Sequence, residues 1–186
     1  MTPIGQVRRL RELAEKALTN YDLDVIGMTL IAQSFNTVYR IRCRGAGPHL
    51  LRVGASIRVH PPDSDNMAAA WQCDLMDDLG LKVPQHVSGT DGCIVHPVSL
   101  SGIPEPRDCA VLTWVPGRAV GPKVTVEQAE LSGRLLAQLH EHASEWVPPR
   151  GLTVPIADRV TYLGDDVLDA LTRYRSLYLE ARDRAR

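Results

Sequence analysis

The sequence predicts an α+β fold: a small lobe made of an antiparallel sheet and one packed helix, followed by the first helices of an α-helical lobe. Helical periodicity marks residues 7–18, and three short strand-like runs follow between residues 25 and 53. Because these runs are adjacent and joined by tight turns, they favour an antiparallel meander. Helical periodicity returns after residue 125. We expect the small lobe to occupy residues 1–116 and the partial helical lobe to occupy residues 117–186.

The first helix is amphipathic, and the strands follow it directly. Arg and Glu separate apolar residues at helical spacing, which are Val7, Leu10, Leu13, Ala14, Ala17 and Leu18. The three strand candidates are residues 25–31, 37–43 and 49–53, and the turn at residues 45–48 separates the second from the third.

The rest of the predicted small lobe holds one helix and two strands. Ser64 or Asp65 can cap a helix that runs to about residue 79, where Gly80 closes it. The next strand candidates are residues 94–98 and 109–114.

Two helices are predicted for the second lobe. Thr125 and Gln128 fit a capping box, in which each side chain bonds the other residue's backbone amide. The apolar positions that follow are Val126, Ala129, Gly133, Leu136 and Leu139. His140 ends this run and is interpreted as structural. A last helix is expected from about residue 161 to the end.

Bulk composition excludes several classes of function. The net charge of -1 gives no reason to expect nucleic acid or an anionic membrane as partner. No apolar run reaches the roughly 18 residues of a membrane helix, and the N-terminus lacks a signal peptide, so we expect a cytoplasmic protein. The four cysteines form no Cys-x-x-Cys pair, and no histidine stands at ligand spacing from one, so no metal site is predicted.

Five segments in a particular order carry the main functional indication. They are residues 34–40, 50–53, 80–84, 111–118 and 133–140. Together they resemble the N-terminal half of the aminoglycoside phosphotransferase and choline kinase family, a branch of the protein-kinase-like fold. The resemblance extends from about Ala14 to about Pro149. It implies a small nucleotide-binding lobe and an ATP-dependent transfer of phosphate to the hydroxyl of a small polar molecule.

The motifs that perform phosphoryl transfer in that family are missing from this sequence. No His-x-Asp followed by Asn occurs, and neither does Asp-Phe-Asp or Asp-Phe-Gly. We therefore assign no catalytic residue and no metal ligand. ATP is the expected cofactor, with Mg²⁺ only if a further C-terminal part supplies its ligands. The chain by itself is expected to be inactive.

The resemblance implies five nucleotide-binding residues. Ser34 and Asn36 lie in the hairpin turn that would cover the phosphates, although an ordinary turn also favours Asn. Arg52 stands where the family places its phosphate-binding cation, and the alternative is a surface arginine. The Thr113 carbonyl and the Val115 amide would bind adenine from a hinge, which can also be read as a buried strand ending at a Pro-Gly turn.

The partner of Arg52 is a departure from the family pattern. With Trp71 matched to an aromatic residue of the family, the expected glutamate falls on Ala68. Asp65, about one helical turn earlier, is the alternative partner.

Three interpretations remain open at this stage. The first is a shortened kinase whose parent acts on a small-molecule substrate, and the second is a non-catalytic nucleotide-binding or interaction module. The third is an α+β domain without a nucleotide site. Nucleic acid and membrane are not expected as partners, and the sequence settles neither the acceptor nor the oligomeric state.

Overall fold

The computed structural model describes residues 3–56, 64–117, 124–152, 176 and 179–180. An antiparallel five-stranded sheet with strand order β1-β2-β3-β5-β4 forms its centre. The elements in chain order are α1 (Pro3–Leu18), β1 (Val25–Gln33), β2 (Thr37–Cys43), β3 (His49–Val53), α2 (Ser64–Leu79), β4 (His96–Val98), β5 (Arg107–Thr113) and α3 (Val126–Glu145).

The hydrophobic core lies between α1 and one face of the sheet. On α1, Leu13, Ala14 and Ala17 are completely buried, as the amphipathic pattern predicts. Alternate residues of β2, β3 and β5 cover the facing side of the sheet, and the fully buried ones include Ile41, Leu51, Val53, Cys109 and Val111. The predicted α+β fold, in which a helix packs against an antiparallel sheet, is confirmed.

A series of side-chain hydrogen bonds connects the end of α1 to the sheet. The Tyr21 hydroxyl accepts a hydrogen bond from the Val111 amide over 3.3 Å, so its own proton is free to bond the His96 Nδ1 at 3.1 Å. His96 Nε2 then contacts the Asp91 carboxylate at 3.0 Å. Burial raises the pKa of Tyr21 to about 12, which keeps the hydroxyl protonated.

The strand after α2 is shorter than the prediction for residues 94–98. The residues before it form a turn instead, in which the Cys93 amide donates to Asp91 and the Gly89 amide donates to the Cys93 carbonyl. Gly92, at φ 82°, takes the left-handed conformation that this turn requires. Only residues 96–98 therefore pair with β5.

The third helix begins as predicted but buries no residue. The Thr125 hydroxyl accepts from the Gln128 amide over 3.3 Å, and the Gln128 side chain accepts from the Thr125 amide over 3.0 Å. Three leucines of the helix are 40% to 63% exposed, namely Leu131, Leu135 and Leu136. Of the helix expected from about residue 161, the structure describes only residues 176, 179 and 180, which are helical. The boundary at residue 116 stays a prediction. Among the helices described, none is both long and apolar enough to cross a membrane.

Candidate functional site

The sheet face opposite the α1 core carries Arg52. Both neighbours of Arg52 in β3 point into the core, so alternation turns its own side chain to the other face. In the sheet, Arg52 is paired with Val38 on one side and Ala110 on the other. One step along the same face, Leu50 pairs with Leu112. Arg52 is therefore a charged residue in the central strand, and its partners on both adjoining strands are apolar.

Asp65 is the partner of Arg52. The Arg52 Nη2 donates to the Asp65 Oδ1 over 2.5 Å, and the two side chains are only 28% and 29% exposed. Asp65 lies in the first turn of α2, where the helix dipole also favours a carboxylate. A charge-assisted hydrogen bond in this partly buried setting holds the guanidinium against α2.

The ion pair shows which residue of α2 contacts Arg52 in place of a glutamate at position 68. The family pattern places a carboxylate at Ala68, one turn further along α2, and the structure shows the equivalent contact made from Asp65 instead. Ala68 is half-buried. Arg52 thus has a carboxylate partner that orients it, although the family pattern predicts that partner at Ala68.

His86 is a site residue that sequence reasoning missed. It lies directly across from Leu112 and so shares the face of Arg52. Burial lowers the pKa of His86, with opposing influences from the nearby Asp65 and Arg52 charges. Its two ring nitrogens are buried and have no hydrogen-bond partner among the described residues. The ring is therefore a neutral polar group beside the ion pair. Its pairing with a strand 26 positions away has no local signal in the sequence.

The predicted phosphate turn joins β1 to β2. Ser34 is exposed and Asn36 is half-exposed, and the Ser34 amide donates to the Asn36 carbonyl over 3.0 Å. Because Val38 pairs with Arg52, Asn36 stands two residues, or about 7 Å, beyond the strand position of Arg52. The turn lies at the end of the sheet on the far side of Arg52 from the predicted hinge.

The predicted hinge follows β5. The Thr113 amide donates to the Gln85 carbonyl, and the Thr113 hydroxyl accepts from the Gln85 amide. Within the described part of the chain, the Val115 amide makes no hydrogen bond. Thr113 pairs with His49, three residues from Arg52 in β3, which sets about 10 Å between the hinge and Arg52 along the strand.

Arg40 and Trp114 form a second contact that the sequence reasoning missed. The guanidinium of Arg40 lies 4.7 Å from the centre of the Trp114 ring, within the range of a cation–π interaction. Arg40 pairs with Leu50 and therefore lies on the face of Arg52, beside the hinge. Strand alternation in β2 could have placed Arg40 on this face, but no local pattern indicated its aromatic partner.

Two tryptophans link α2 to α3. The Trp71 indole donates to His142 Nδ1 over 2.9 Å, so the ring proton of neutral His142 is on Nε2, which reaches the Asp78 carboxylate at 3.0 Å. The Trp146 indole donates to Asp74 over 2.6 Å. The helix that carries Asp65 is therefore fastened to α3 at its other end. His140, the histidine singled out in the sequence, is exposed.

No protein-family model matches the chain, and none of the curated proteins matches it. Solved structures do match. A microcompartment-associated aminopropanol kinase is 29% identical, with a TM-score of 0.66 over 83% of this chain and 47% of its own. An amicoumacin kinase, solved in complex with AMP-PNP, Ca²⁺ and Ami, is 17% identical, with a TM-score of 0.60 over 97% of this chain and 56% of its own.

The sheet, its helices and these matches define the class: the chain has the small-lobe fold of the protein-kinase-like phosphotransferases. The two matched kinases are of the aminoglycoside phosphotransferase type, so the resemblance found in the sequence is confirmed. The chain is thus similar in fold to kinases of small molecules, and it spans about half the length of each.

Proposed function

We propose that this chain is the nucleotide-binding lobe of an ATP-dependent kinase that phosphorylates a hydroxyl group of a small polar molecule. The observation that carries the proposal is the Arg52–Asp65 ion pair on the sheet face opposite the α1 core. A kinase small lobe uses a cationic side chain to hold phosphate oxygens, and a fixed, partly exposed guanidinium can serve in that role.

Arg52 retains the capacity to bind phosphate. A guanidinium has five N–H donors, and the contact with Asp65 uses one of them. The 28% exposure of the side chain leaves part of it open to a ligand. His86, neutral and unpaired among the described residues, offers a further donor or acceptor on the same face.

The spacing of the predicted contacts supports one nucleotide rather than separate ligands. The hinge and Arg52 are about 10 Å apart along β3, and the turn at Ser34 and Asn36 lies beyond Arg52. Adenine at the backbone of Thr113 and Val115 would direct the phosphates toward Arg52 and the turn. ATP would supply the phosphoryl group. We assign no Mg²⁺ ligand, because the motifs that hold Mg²⁺ in the resembled family do not occur in this sequence.

Titration with ATP, with and without Mg²⁺, tests the proposal. Arg52→Ala should weaken ATP binding about tenfold or more, since a charged hydrogen bond contributes about 1.5–3 kcal/mol. Binding of adenosine should change little because the hinge is untouched. Arg44→Ala is the matched control: Arg44 also bonds a carboxylate, that of Asp24 at 2.9 Å, but its side chain is 75% exposed. Equal losses for ATP and adenosine would assign Arg52 a structural role.

A second candidate function is a non-catalytic nucleotide-binding module. Ala68, which stands where the family pattern has a glutamate, favours it. Both candidates expect the purified chain to bind ATP without phosphorylating an acceptor. Steady phosphorylation of an aminoglycoside, an amino-alcohol or a sugar by the chain alone would contradict this expectation of both candidates and would show that the chain contains a complete catalytic site.

A further inference from the structure

A cavity of about 240 Å³ lies between the first half of α1 and the loop that joins β4 to β5. Arg9 and Arg107 contribute two guanidinium groups to its wall, and Leu10, Ile103 and Pro104 contribute apolar surface. Arg107 shares the sheet face of the α1 core, so the cavity is on the opposite side of the sheet from Arg52.

Arg107 is the unusual member of this cavity. Its side chain is half-buried, and its Nε atom is buried without a hydrogen-bond partner among the described residues. None of the ion pairs found among the described residues involves Arg107. Burying a charged donor without a partner is unfavourable. An anion in the cavity that Arg107 lines would offset the cost of burying part of this charge.

Arg9 is fixed at the edge of the same cavity. Its Nη1 donates to the Gly102 carbonyl over 2.7 Å. Gly102 has φ 81°, and a Cβ atom at that position would overlap the Arg9 guanidinium. The backbone conformation therefore favours glycine here, and a larger residue would also push the end of the Arg9 side chain aside. The arginine is held in place while most of its donors stay available.

The wall of the cavity has cationic and apolar parts but no acidic residue. Glu105 is on the same loop, but it is exposed and is not part of the wall. A guanidinium pair favours a carboxylate, which accepts paired hydrogen bonds. The apolar wall favours a ligand with a short hydrocarbon body, because burying that surface is favourable.

We propose that this cavity binds a small organic carboxylate, with its charged group at Arg9 and Arg107 and its apolar body against Leu10, Ile103 and Pro104. The site is separate from the proposed nucleotide site and does not depend on it. Its ligand joins α1 to the first residue of β5, the strand whose other end leads into the hinge.

Benzoate is a suitable probe, with benzamide as its uncharged analogue and acetate as the carboxylate without an apolar body. Protein-observed NMR titration of the whole chain should show saturable binding of benzoate, with shifts concentrated on α1 and residues 102–107. Benzamide and acetate should bind at least about tenfold more weakly. Acetate binding as tightly as benzoate would contradict the role of the apolar wall. No saturable benzoate binding would overturn the proposal.

Variants locate the binding. Arg107→Gln and Arg9→Gln should each weaken benzoate binding about tenfold. Arg9 is on the helix surface, so its variant keeps the test valid if Arg107→Gln fails to fold. Arg134→Gln is the control, because Arg134 is 69% exposed on α3. Arg52→Ala should leave benzoate binding unchanged, which separates this site from the proposed nucleotide site. Benzoate affinity unaffected by both cavity variants would refute the assignment.

Discussion

Replacing Asp65 by Asn tests whether the ion pair positions Arg52. The substitution keeps the size of the side chain but removes its charge. A hydrogen bond to a charged group contributes about 1.5–3 kcal/mol, and the partial exposure of both side chains reduces this by solvent screening. We therefore expect Asp65→Asn to lower the free energy of unfolding by about 1–2 kcal/mol. Because Arg52 is then less firmly oriented, ATP binding should weaken about threefold to tenfold, with adenosine binding unchanged.

Ala68 provides a rescue experiment. It stands one helical turn from Asp65, so a glutamate there can reach the Arg52 guanidinium from the next turn. In the Asp65→Asn background, Ala68→Glu should recover most of the lost ATP affinity, whereas Ala68→Gln, which has a similar size, should not. Urea unfolding and isothermal titration calorimetry measure the two quantities. If Asp65→Asn binds ATP as tightly as the unmodified protein, or more tightly, the positioning argument is wrong.

Three further predictions concern other parts of the molecule. His142→Leu removes both hydrogen bonds that link α2 to α3 through this ring and should cost about 1–2 kcal/mol in urea unfolding, whereas His140→Leu should stay within about 0.5 kcal/mol. Burial lowers the pKa of His86 in the folded protein, so the imidazole is protonated more readily in the unfolded chain. The free energy of unfolding should therefore fall as the pH decreases from about 7 to about 5. His86→Gln should reduce that fall, and an unchanged pH dependence would contradict it. Burial raises the pKa of Cys109 to about 12, so a thiol reagent should modify exposed Cys73 in the folded protein well before Cys109, and equal rates would refute this.

Elements whose stability is local or periodic could be predicted from the sequence. The helix at residues 3–18 follows from its apolar stripe, because burial of one face imposes a 3.6-residue period. The capping box at Thr125 and Gln128 was predictable because both hydrogen bonds form within four residues. The three strands between residues 25 and 53 were also predicted in the right order, and alternation placed Arg52 on the face opposite Leu51 and Val53.

Contacts between distant residues could not be predicted in the same way. Whether position 65 or position 68 faces Arg52 depends on the rotation of α2 about its axis. The arginine side chain is long enough to reach either turn of the helix, so its length does not decide between them. The bond between Trp71 and His142 joins residues 71 positions apart, and nothing in either local sequence indicates it. The structure gives the positions of the five residues predicted to contact the nucleotide, and their role in binding stays a prediction.

The Arg52–Asp65 pair connects two parts of the molecule that differ in freedom to move. Arg52 is in the central strand, hydrogen-bonded on both edges, so its backbone cannot shift without disturbing the whole sheet. Asp65 is on a helix that buries two of its described residues, Met67 and Leu75. A tilt of α2 would therefore change the distance between the two charges. Since the far end of α2 is bonded to α3, a displacement of α3 would be transmitted along a rigid helix of 16 residues to the guanidinium.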